Sequence, residues 1–200
     1  MKPINSDTLL SAALVFYGFM ACLAAFIAWL RGSNDFIAPL GAWEALWGVS
    51  LGIAIALLSR PLRFFEGFDS LYKAIFRLLG PLSSWSCAAL ALSSGFAEEA
   101  LFRGALQPWL GLYPAALIFA ALHSPALLGE GEDDLKRCFR IWPLFALVVG
   151  IGFGYLTVST ETWLSAALAH ITVNYLNLRY ICGREGLNAG SRSKDDSGLS

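Results

Sequence analysis

From Leu9 to Leu30 the chain carries no charged side chain. Wound as a helix, that run is long enough to cross the roughly 30 Å hydrocarbon core of a bilayer. It exceeds the apolar stretch of a signal peptide, typically about 7–15 residues, and so reads as a retained spanning helix. Composition supports a membrane setting. Of 200 residues 56% are hydrophobic and 14% charged, against about 25% charged in average soluble domains. Mean hydropathy is +0.59.

Further apolar segments follow. Ala42–Leu58 is closed by "SRPLR", and three more spans are expected near 82–109, 113–123 and 141–158, with a last one over 163–180. The glycines of "VVGIGFGYL" in the fifth allow close helix approach in lipid. Residues 62–79 differ: Phe64, Phe65, Phe68, Leu71, Ile75, Leu78 and Leu79 recur at helical spacing with Glu66, Asp69, Lys73 and Arg77 between them. That pattern predicts an amphipathic helix lying in the interface or packed on the bundle. Glu44 stands near the start of the second span and reads as an interfacial carboxylate. The expected architecture is all-α: a polytopic bundle of about six spans plus one interfacial helix. Its parts are two N-terminal helices (1–61), the amphipathic helix (62–79), a helical core (80–182) and a polar tail (183–200) expected to be disordered. The stretch "SPALLGEGEDDLKRCFR", with four acids, reads as a polar connection.

The formal net charge of −1 leaves no basic surplus to neutralise phosphates, which argues against a nucleic-acid partner. Cys22, Cys87, Cys138 and Cys182 form no CxxC pair and no metal-ligand spacing. With six spans and the N-terminus inside, the cytoplasmic side collects Lys2, Arg60, Arg63, Lys73, Arg77, Lys136, Arg137 and Arg140.

Against this background "GFAEEALFRGALQP", residues 95–108, stands out. An ionisable group at bilayer depth costs at least about 2.5–3.5 kcal/mol, so it marks a candidate functional position. Arg103 lies one helical turn after Glu99 and shares its face, while Glu98 is rotated by about 100° toward other partners. One carboxylate is thereby paired and its neighbour left to hold a water and take its proton. Two other apolar segments carry the chain's two histidines: "FAALH" places His123 four residues after Phe119, and "HITVN" places Asn174 four residues after His170. Each feature alone reads as an interfacial or helix-gluing group. Together, on separate antiparallel helices, they supply a base, electrophilic donors and an amide for an oxyanion.

"EEALFR", "FAALH" and "HITVN" resemble, in order, the EExxxR, FxxxH and HxxxN motifs of the CAAX-prenyl-protease and bacteriocin-processing (CPBP, or Abi) family of intramembrane proteases, over about residues 80–180. The resemblance implies that Glu98 activates water with His123 assisting, that His170 and Asn174 polarise the scissile carbonyl, and that Glu99 with Arg103 supports Glu98. It leaves open a glutamate-activated water, with no obligatory cofactor, or a divalent metal such as zinc held by Glu98, His123 and His170; no HExxH helix is present. It implies a substrate that is a membrane protein or a lipid-anchored or C-terminally anchored polypeptide, in a multi-pass protein of a bacterial inner membrane. The depth of the glutamates along span three suggests an outward site and the trimming of C-terminal segments of exported proteins. A proton-coupled transporter and a non-catalytic scaffold or immunity protein are the competing readings; small size and the lack of a repeated half weigh against the first.

Overall fold

In a computed structural model, residues 6–33, 36, 39–124 and 141–197 are described. All regular structure among them is helical: α1 (Ser6–Leu30), α2 (Ala42–Leu62), α3 (Glu66–Leu79), α4 (Ser84–Glu99), a π-helical segment (Ala100–Leu106), α5 (Gln107–Leu110), α6 (Leu112–Leu122), α7 (Trp142–Thr160) and α8 (Trp163–Ser197). The acidic connection expected before residue 141 lies, from 125 to 140, outside the described residues.

Local chemistry sets the breaks. Gly80 ends α3 at φ +69°, a conformation that only glycine adopts without strain. The Ser83 side chain then accepts a hydrogen bond from the Ser86 amide to start α4. Gly111, at φ +90°, separates α5 from α6. Among the described residues three helices are long and apolar enough to cross a membrane singly: Leu10–Leu30, Ala42–Leu62 and Trp142–Thr160. The segment Gly67–Leu79 meets Ser84–Leu110 at a bend of 106°. α3 thus runs nearly perpendicular to α4.

Outward faces are apolar. Val15, Phe19, Trp29, Trp43, Leu58 and Trp85 are all exposed on the bundle, as lipid-facing side chains should be. Trp29 and Trp43 mark the α1–α2 end, Phe64, Phe65 and Trp85 the end that bears α3; aromatic girdles of this kind sit at headgroup level.

The bundle is organised around α8, which packs against α2, α4, α7 and α3. Its closest approach is to α2 and depends on the Gly48–xxx–Gly52 spacing. A Cβ on Gly48 would collide with the Ser165 carbonyl oxygen, and one on Gly52 would come within 2.5 Å of that of Ala169. In α7 the glycines of the fifth apolar segment divide: Gly150 and Gly154 are buried against neighbours, whereas Gly152 faces open space. At its C-terminal end α8 continues as helix through Ser197 instead of stopping at Gly183, where composition suggested a disordered tail. Adding residues to a helix already nucleated and packed costs little compared with starting one.

Candidate active site

The site begins with a change of helical pitch. At the end of α4 the backbone passes into the π-helical segment, where Gln107 N–H bonds to Phe102 O, five residues back. The wider turn follows directly on the paired glutamates, a place where such bulges recur at functional sites.

Glu99 and Arg103 are buried completely or nearly so. Arg103 Nη1 donates to Glu99 Oε1 at 3.1 Å and Nε lies 3.1 Å from Oε2. The remaining guanidinium edge is used as well: Nη2 donates to the Gly150 carbonyl at 2.8 Å, and the plane lies over the Phe119 ring at 4.6 Å. One turn on, Gln107 Nε2 donates to the Gly154 carbonyl at 3.1 Å. Two polar side chains four residues apart thus dock on two carbonyls four residues apart on α7. The glycines make room, since a Cβ at Gly150 would sit 3.0 Å from Arg103 Nη2 and one at Gly154 3.0 Å from Gln107 Oε1. This leaves the buried guanidinium with a counter-charge and hydrogen-bonded, the condition for keeping it out of water.

Glu99 has a second partner. His170 Nδ1 donates to Glu99 Oε1 at 2.8 Å, so Nε2 is turned away from the carboxylate. Farther along α8, Asn174 Nδ2 donates to Ser94 Oγ at 3.0 Å. His123 directly follows α6; its Nδ1 donates to the Phe119 carbonyl at 2.7 Å and its ring stacks on Trp142, interplanar angle 11°. That bond leaves Nε2 as the free nitrogen, and it faces Glu98 Oε2 at 3.9 Å. Oε2 is buried and makes no hydrogen bond to a described residue. Among the described residues Glu98, unlike Glu99, thus has no cationic side chain locked on it.

Glu98, His123, His170 and Asn174 all line one cavity of about 450 Å³. Most of its wall is apolar, with Leu71, Ile75 and Leu79 of α3 and Phe145 of α7 contributing. The cavity runs from Glu98 toward α3 and the first turns of α1, where Leu10 and Leu82 line it. Arg60, Arg63, Lys73 and Arg77 belong to the same end of the bundle. As for the alternative metal set, no group of three or more His, Cys, Asp or Glu side chains is placed to hold an ion among the described residues.

Sequence reasoning did not find Tyr17, Ser94, Gln107 or Trp142, nor the Gly150 carbonyl that completes the Arg103 site. Gln107 had a signal in its i+4 spacing from Arg103; Gly150 and Gly154 had one in matching that spacing.

A helical membrane bundle with a buried carboxylate–histidine site is the class that these features define. Residues 80–176 match the model of the Rce1-like family, described as type II CAAX prenyl endopeptidases, and this core is similar to that family. The "uncharacterized protein YpbD" of Bacillus subtilis (strain 168) is 45% identical over 64 residues, 32% of this chain and 28% of that protein. The chain thus matches little more than a quarter of that relative's length. No solved structure matches.

Proposed function

We propose that the chain is an intramembrane endopeptidase that uses Glu98 to activate water. The observation that carries this reading is the pair of acceptors Glu98 Oε2 and His123 Nε2, 3.9 Å apart in the cavity. That separation is too long for a direct hydrogen bond and suits a water donating one proton to each. Such a water is polarised for attack, and Glu98 would take its proton as the peptide carbonyl becomes tetrahedral. His123 would orient it and assist the return of the proton to the leaving amine. His170 and Asn174 would polarise the scissile carbonyl, Asn174 by releasing Ser94 and turning its amide to the oxyanion. For His170 to donate from Nε2 it must be the imidazolium, and Glu99 at Nδ1 supplies the counter-charge that this form requires. Glu99 and Arg103 hold His170 and the helix end in place rather than touch substrate.

The apolar wall favours a substrate with hydrophobic side chains beside the cleaved bond, in keeping with trimming of the C-terminal segment of a membrane-associated or anchored polypeptide. Basic residues flank the end toward which the cavity runs, so the reading places entry on the cytoplasmic side of a bacterial inner membrane. Purified chain in liposomes tests the reaction: peptide cleavage in the wild type and its loss in Glu98→Gln are expected. Ion flux without cleavage would point to the transporter reading instead.

A further inference from the structure

Asn177 stands outside the three motifs and one residue past the family match, yet it lines the same cavity. On α8 the lining positions are His170, Val173, Asn174, Asn177, Leu178 and Ile181, a stripe with the spacing of one helix face. At about 1.5 Å per residue that stripe is about 16 Å long, so the cavity follows α8 beyond the reacting groups. Its polar members are His170, Asn174 and Asn177; Leu178 and Ile181 continue it as apolar wall.

Asn177 is held from one side. Ser59 Oγ, buried on α2, lies 3.3 Å from Asn177 Oδ1 and also donates to the Ala56 carbonyl at 2.9 Å. The Tyr72 hydroxyl on α3 donates to the Ser59 carbonyl at 3.3 Å, which ties this turn of α2 to α3. Asn177 Nδ2, in contrast, makes no hydrogen bond to a described residue. An amide with its oxygen engaged and its N–H groups unused offers a donor to whatever fills the cavity.

We infer that Asn177 binds the substrate main chain, Nδ2 donating to a peptide carbonyl about two residues from the cleaved bond. The inference rests on the reading of Glu98, His170 and Asn174 as a peptidase site. Along α8, Asn177 lies about 4.5 Å from Asn174 and about 10 Å from His170, while an extended chain advances about 3.3 Å per residue. A carbonyl polarised between His170 and Asn174 therefore brings the carbonyl about two residues away level with Asn177. A peptide group taken into an apolar cavity needs such a partner, since leaving it unpaired is costly. The contact with Ser59 would equally serve to tie α8 to α2, so the test reads a coupling with substrate that a tie alone does not produce.

The full chain in liposomes is given an internally quenched peptide with an apolar carboxyl-side segment. In a companion series each main-chain amide near the scissile bond is replaced in turn by a trans carbon–carbon double bond, which keeps the shape and removes the polar atoms. Wild type is expected to lose about three- to tenfold in kcat/KM at one position, about two residues from the cut. Asn177→Ala should lose about as much on the all-amide peptide, and less than about twofold more on that one replacement. It leaves Ser59 bonded to the Ala56 carbonyl, so no buried hydroxyl is orphaned. Asn177→Asp, which keeps Oδ1 and removes both N–H groups, should lose at least as much on the all-amide peptide. Losses that multiply at every position, or wild-type cleavage of the all-amide peptide by Asn177→Ala, overturn the role of Asn177 and leave that of Glu98 standing. No cleavage by wild type, or full activity in Glu98→Gln, overturns both.

Discussion

His170 Nδ1 lies 2.8 Å from Glu99 Oε1, and this contact joins two helices whose residues are 71 apart in sequence. Because the same oxygen accepts from Arg103, Glu99 is the junction of α4 and α8 as well as the counter-charge of a buried guanidinium. Glu99→Gln keeps the shape and removes the charge, leaving Arg103 uncompensated at 2% exposure. Breaking a buried pair in this way costs about 3–5 kcal/mol. Thermal melts in detergent should show a clearly lower Tm for Glu99→Gln; an unchanged Tm would mean that the junction carries no stability.

Packing of α8 on α2 makes a second claim. Gly52→Ala forces the helices apart, because the new methyl meets the Ala169 carbonyl and the Thr172 side chain. A loss of about 1–3 kcal/mol is expected, as for other overpacked sites. Gly152→Ala, which meets nothing, is the control and should leave the melt unchanged or raise it slightly. Equal behaviour of the two variants would contradict the assigned interface.

Ser94 is the resting partner of Asn174. Ser94→Ala frees the amide without removing it. Losing one such bond costs roughly 1 kcal/mol, so folding should be nearly unaffected. If the bond also aims the amide, cleavage should fall several-fold, and Asn174→Ala should fall further. Identical rates in Ser94→Ala and wild type would reduce this contact to packing.

These relationships differ in how far the sequence disclosed them. Helix positions were legible because long uncharged runs have few alternatives in lipid, and the amphipathic repeat of α3 needed only its spacing. Glu99–Arg103 was legible as an i+4 pair for the same reason. His170 on Glu99 and Asn174 on Ser94 were not, since each depends on which helices adjoin and at what rotation. The π-helical segment was hidden because one extra residue per turn leaves no mark on an apolar run. The walls that α1 and α3 give the cavity were hidden too, because neither helix carries one of the three motifs.

The wall contributed by α3 sets a limit on what enters. Ile75→Trp would fill part of the cavity at a distance from Glu98. A rise in KM with kcat little changed is expected, measured on the quenched peptide; a fall in kcat alone would place the effect on the chemistry.

The most direct test of the central claim is a comparison of native C-termini of membrane and exported proteins between cells carrying wild type and Glu98→Gln. The account predicts that one class of proteins keeps its C-terminal segment only in the variant, with both forms of the protein folded and equally abundant. If no terminus changes under those conditions, Glu98 does not activate water for peptide cleavage, and the protease assignment fails.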